Sequence, residues 1–171
     1  MKLFLLSLSL LVLTACGYKP SSHYIKHIFE DAIYVEVEVD AIEPENAPFI
    51  KDEMNRLIYT RFKGRVVSKK EAGSSIHIRY GGSSFFPLAY EDGYVTRYRV
   101  IVRVTFTMET KAGRLTKSIA SRVESDIQAS SLTSSTLRVE AIRKGLSKAL
   151  DEFLAYVSVK GMIIEEKKQI K

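Results

Sequence analysis

Residues 33–40 alternate apolar and polar side chains with period two, setting Ile33, Val35, Val37 and Val39 against Tyr34, Glu36, Glu38 and Asp40. Successive side chains of a strand point to opposite faces, so this is the pattern of a half-buried strand. The period then lengthens. Asn46 and Pro48 supply a helix start, and Ile50, Met54, Leu57, Ile58 and Phe62 follow at helical spacing. Alternation returns over 75–80, with Ile76, Ile78 and Tyr80 opposite His77 and Arg79, and it is clearest over 94–109. There Tyr98, Val100, Val102, Val104, Phe106 and Met108 line one side, while Arg97, Arg99, Ile101 and Arg103 line the other. Lys111, Ala112 and Gly113 form a short hairpin turn into a strand over 115–124, with Leu115, Ile119 and Val123 inward. Beyond a serine-rich connection, Ile142, Leu146, Leu150, Phe153 and Val157 mark a long second amphipathic helix, in which Gly145 predicts close contact with the sheet.

The order β-α-β-β-β-α predicts an α+β two-layer sandwich, a four-stranded mixed sheet with two helices packed on one face. The first helix is then a crossover between parallel strands, and the later strands form an antiparallel meander. The other sheet face is left polar, displaying Tyr34, Glu36, Glu38, Asp40, His77, Arg79, Arg97, Arg99, Arg103 and Arg122. Two readings of that face stand side by side. Its unlike charges pair across strands in water, or its planar guanidinium forks meet an anionic partner carrying phosphate or carboxylate. Residues 81–93 read as the loop joining the second and third strands, and Phe85, Phe86, Leu88 and Tyr90 make it too apolar for a passive turn. They either fold back onto the core edge or present an apolar contact to a partner or lipid chain.

The start of the chain adds a location. Lys2, an apolar run over 3–13 and small residues before Cys16 follow the grammar of a signal peptide over residues 1–15. The run falls short of the ~20 apolar residues a spanning helix needs. Leu13, Thr14, Ala15 and Cys16 resemble the lipobox of bacterial lipoproteins, which implies that Cys16 carries covalent N-terminal acyl chains. Cys16 is the only cysteine, so no disulfide is available to it within the chain. Several acyl chains anchor almost permanently, and Gly17, in place of an inner-membrane retention aspartate, favours the outer membrane, with the protein facing the periplasm. The expected organisation is a lipidated N-terminus and tether over 16–32, one α/β domain over 33–159 and a charged flexible tail over 160–171.

Charge and candidate chemistry narrow the function without specifying a reaction. The formal charge of +6 is spread along the chain, which suits an acidic surface or ligand and does not call for nucleic acid. His23 and His27 have the i, i+4 spacing that can hold a metal, but nothing in the sequence points to a third ligand, so no metal site is predicted. The serines before the second helix are explained by capping and loop solvation. No nucleophile elbow or phosphate-binding glycine loop is present, so the chain is expected not to be an enzyme and to need no cofactor beyond its acyl chains.

With Cys16-Gly17-Tyr18 at the mature start, an early β-α unit, Asp92-Gly93 leading into Tyr98-Arg99-Val100-Ile101-Val102, a last strand and a C-terminal amphipathic helix, the chain resembles the LptE family of lipopolysaccharide-assembly lipoproteins. The resemblance implies two helices on a four-stranded sheet, lodged as a plug inside the outer-membrane barrel LptD, assisting its assembly and binding lipopolysaccharide in transit. It also implies basic contact residues near the turn between strands two and three and near the last connection. Here Tyr94 follows the Asp-Gly pair and the last connection is serine-rich, so the role passes to Arg97, Arg99 and Arg122, with Arg103, Phe85, Phe86 and Tyr90 as further candidates for lipopolysaccharide or partner contact. The alternative is a lipoprotein cofactor of another envelope machine, such as an activator of a peptidoglycan synthase. A tether over 17–33 reaches only ~50 Å at ~3.3 Å per residue, which argues for action near the membrane.

Overall fold

The structure is a computed structural model that describes residues 21–39, 43–126 and 131–169. Its elements are α1 (Ser21–Ile25), β1 (Ala32–Val39), α2 (Asn46–Leu57), β2 (Arg65–Val66), β3 (Ser74–Glu91), β4 (Tyr94–Thr110), β5 (Gly113–Asp126) and α3 (Ser131–Gln169). Between α2 and β2 the helix winds on as one wide π turn, Ile58–Phe62. The strand order is β2-β1-β3-β4-β5. β1 lies parallel to both β2 and β3, and β3, β4 and β5 form an antiparallel meander. This is the mixed α+β sandwich that the alternation predicts.

The inward positions pack as their periods require. Ile33, Val35, Ile76, Ile78, Tyr80, Val100, Val102, Val104, Phe106 and Met108 are buried from the sheet. Ile50, Met54, Leu57, Ile58 and Phe62 meet them from α2 and its π turn, and Ile142, Leu146, Leu150, Phe153 and Val157 from α3. At the centre Phe106 stacks on Phe153 at 4.2 Å between ring centroids, and Phe62 lies 6.4 Å from Phe153. Gly145 brings α3 close to the sheet as expected, since a Cβ there would lie 2.5 Å from Val102 Cγ2. Across this contact Ser121 Oγ donates to the Gly145 carbonyl at 2.6 Å.

Within that fold four details differ from expectation. The sheet has five strands, because β2 adds a two-residue edge beside β1 that is too short to show a period. Residues 81–93 are not a loop: β3 continues to Glu91 and turns at Asp92 and Gly93, both at positive φ. A register shift between Tyr80 and Ser83 changes which residues face the helices, and this bulge hides the strand from a simple period-two reading. The expected tether is folded from Ser21 onward, with Ile25, Ile28 and Phe29 buried in the core. Residues 160–169, expected as a tail, belong to α3, where Ile164 packs against the core.

Candidate partner-binding surface

α2 and α3 cover one face of the sheet, so the strands turn their alternate residues to solvent on the other. Registers Arg97↔Asp126 and Arg99↔Glu124 place unlike charges directly opposite on β4 and β5. Arg97 Nε donates to Asp126 Oδ1 at 2.8 Å, and Arg99 Nη2 to Glu124 Oε1 at 3.3 Å. The hydrogen bond it donates to Asp126, and then the charge of that carboxylate, raise the Arg97 guanidinium above its ordinary value, so it stays cationic. On the neighbouring strands Glu38 is shared between Arg79 Nε at 3.1 Å and His77 Nε2 at 3.3 Å. Arg103 Nη1 donates to Ser84 Oγ at 3.0 Å. Arg122 lies on the same face, and among the described residues its guanidinium has no hydrogen-bond or carboxylate partner. Asp40 and Cys16 lie outside the described residues.

The distal part of the β3–β4 hairpin extends beyond β1, whose pairing with β3 ends at Tyr80. Its outer end carries Tyr90 and Tyr94, each 64% exposed, together with Phe86 and Leu88. Large apolar groups left in water are unfavourable, and an exposed patch of this kind marks a contact surface. The aromatic residues expected to act together are divided by the alternation of the strand, and the bulge after Tyr80 sets which of them faces the helices. Phe86 lies opposite Arg99 on the open face, whereas Phe85 turns toward the helices, edge-on to Tyr98 at 6.2 Å.

At the base of this hairpin lies a polar network that the sequence reading missed. Arg138 of α3 lies over the Phe85 ring at 4.8 Å, and its Nη2 donates to Glu43 Oε1 at 3.3 Å. Ser83 Oγ donates to the same oxygen at 2.7 Å, and the Tyr80 hydroxyl donates to Glu43 Oε2. Burial alone would push the Glu43 carboxyl up. The donors Tyr80, Ser83 and Arg138 together outweigh it and hold the group below the ordinary carboxylate range. The Tyr80 phenol is pushed up, first by burial and then by its bond to Glu43, so it stays a neutral donor. Glu43 and Arg138 are 95 residues apart, and no local spacing could have joined them.

At the opposite end of the open face, a shallow cleft of about 290 Å³ is lined by Tyr34, Glu36, Lys69, His77, Glu109 and Arg114. Both signs of charge line it. The exposed Arg97–Asp126 and Arg99–Glu124 pairs contribute little to stability because water screens them, so their arginines can exchange a carboxylate for another anion. The open face can therefore recognise an anionic partner without refolding, while the hairpin offers it an apolar contact.

Comparison with known proteins places this architecture. Lipoprotein B of Shewanella oneidensis superposes with a TM-score of 0.54 at 15% identity, over 77% of this chain and 98% of its own. Lipoprotein B of Nitrosomonas europaea gives 0.50 at 18% identity, over 80% and 88%. At these identities the likeness establishes the fold. No curated protein matches the chain in sequence. Among the described residues no helix is long and apolar enough to cross a membrane. The model of one family, described as lipopolysaccharide-assembly, matches residues 34–156, and the chain therefore belongs to the LptE family of envelope lipoproteins that serve lipopolysaccharide assembly.

Proposed function

We propose that this chain is the lipid-anchored LptE subunit of a lipopolysaccharide translocon, seated inside an LptD-like barrel of the outer membrane, where it assists barrel assembly and contacts lipopolysaccharide in transit. The observation that carries the reading is the division of one sheet into a helix-covered apolar face and an open face of exchangeable arginine–carboxylate pairs beside an apolar hairpin. A wide outer-membrane barrel has a polar, hydrated interior, which accommodates a charged sheet face and would exclude an apolar one. Lipid A and core sugars carry phosphates and carboxylates, the groups that guanidinium forks bind. The role is binding and assembly, with no reaction assigned to the chain.

The N-terminus supports the same location. Four residues, 17–20, lie between Cys16 and Ser21, the first described residue, and even a fully extended chain of that length spans only about 14 Å. An acylated Cys16 then holds the domain against the membrane surface. That reach is too short for a partner across the periplasm and weighs against the synthase-activator alternative.

Two measurements test the proposal. Extraction of the lipidated protein in mild detergent should recover a large outer-membrane barrel at equal stoichiometry, and recovery of a peptidoglycan synthase in its place would overturn the assignment. Arg97→Glu combined with Arg99→Glu should weaken binding of purified lipopolysaccharide while leaving the circular dichroism spectrum unchanged. Undiminished binding would move the contact away from these arginines.

A further inference from the structure

His23 and His27 are one helical turn apart at the start of the described chain. The turn that carries them is held by backbone bonds from Lys26 N to Ser22 O and from His27 N to Tyr24 O. Their rings meet edge to face at 5.4 Å between centroids. Glu165, near the far end of α3, completes a group whose three ligand atoms all lie within 4.8 Å of one another. His23 Nε2 is 3.3 Å from Glu165 Oε1, and His27 Nε2 is 3.9 Å from Glu165 Oε2. The third ligand that the i, i+4 pair lacks in the sequence is supplied by a residue 142 positions away.

From this geometry we infer that His23, His27 and Glu165 form a binding site for a divalent transition-metal ion of the zinc class, which clips the N-terminal segment to the end of α3. The inference stands independently of the lipopolysaccharide reading. Two imidazole nitrogens and one carboxylate oxygen are a known zinc ligand set, with the fourth tetrahedral position left to water. Ligands ~2.0–2.1 Å from a tetrahedral ion lie ~3.3 Å from each other, so the group, whose ligand atoms lie within 4.8 Å of one another, would draw together by up to about 1.5 Å around the ion. Calcium and magnesium prefer all-oxygen shells and do not suit this set.

Two observations separate the site from a chance surface ion pair. His27 Nε2 is buried and has no hydrogen-bond partner, an unfavourable state for a polar atom that a metal bond would relieve. The backbone on either side is also held closely: a Cβ on Gly161 would lie 2.1 Å from the Tyr24 carbonyl oxygen. Only glycine lets α1 approach α3 so closely, and Glu165 follows it by one helical turn, on the same side of α3. A metal here would fix the place where the fold departs from its lipidated end.

The test uses the full mature lipoprotein in detergent, purified without a polyhistidine tag, stripped with EDTA and titrated with zinc by calorimetry. One zinc per chain is expected, and cobalt in its place should give the visible absorption of a tetrahedral site. Changes behind a metal ligand already lower affinity about 10–100-fold, so His27→Ala and Glu165→Gln should each lower it by about 100-fold or more. Zinc, and not magnesium, should raise the melting temperature of the wild-type protein, a readout that does not depend on the variants folding. Absence of saturable zinc binding by the wild type, or unchanged binding when His23→Ala is combined with His27→Ala, would overturn the site.

Discussion

The two faces of the sheet are built from alternate residues of the same strands, yet they are held in different ways. Inward, Val100, Val102, Val104, Phe106 and Met108 of β4 are almost wholly removed from water and packed under two helices. Outward, Arg97, Arg99 and Arg103 of the same strand sit in water against carboxylates or a hydroxyl. One face is held by close packing, in which every atom has fixed neighbours. The other is held by interactions that solvent competes with and an incoming anion can replace. In the proposed function stability and recognition fall on opposite sides of one strand, and a substitution should reveal which side it falls on.

The largest effect is expected on the packed face. Phe153 is fully buried and stacks on Phe106, so Phe153→Ala should lower stability by about 3–5 kcal/mol, as measured by urea denaturation. A loss well under 1 kcal/mol would mean that this face is not close-packed, and the contrast would fail.

An intermediate effect is expected at Glu43, which is buried but charged. Its carboxyl is held below the ordinary value of about 4.3, so it contributes stability that is present above that value and lost as pH falls through the depressed folded-state value. Glu43→Gln keeps the shape, weakens the bonds from Tyr80, Ser83 and Arg138, and should cost about 1 kcal/mol near neutral pH. Urea denaturation across the acid range should show a shallower decline in the variant than in the wild type. Equal slopes would remove Glu43 from the account of acid stability.

The smallest effect on stability is expected on the open face. Arg97→Ala with Arg99→Ala should leave the melting temperature almost unchanged, because both pairs are exposed, while lipopolysaccharide binding falls. A large drop in melting temperature would show that these pairs support the fold, and the two faces would no longer divide the work.

The parts of the molecule that were legible in the sequence are those where a period runs uninterrupted. The inward set of β4 could be read directly because its alternation continues for the length of the strand, and the buried stripe of α3 because Ile142, Leu146, Leu150, Phe153 and Val157 keep to one side. Gly145 could be read because a glycine inside a helical pattern has few uses apart from close approach. The outer half of β3 was hidden by the shift after Tyr80, which exchanges the inward and outward positions of the residues beyond it. The core role of Ile25, Ile28 and Phe29 was hidden because α1 is only five residues long.

Periodicity by itself determined β1, α2, the inner half of β3, β4, β5 and the body of α3, their inward residues, the covered and open faces, and the positions of Arg97, Arg99, Arg103 and Arg122 on the open one. These follow from local geometry, since a side chain's face depends only on its place in a strand or helix. Tertiary structure alone decided what meets across long stretches of chain: Arg97 with Asp126, Glu43 with Tyr80, Ser83 and Arg138, and Glu165 with the two histidines. Such meetings depend on how strands register and where a helix ends over another element, and no local repeat records either.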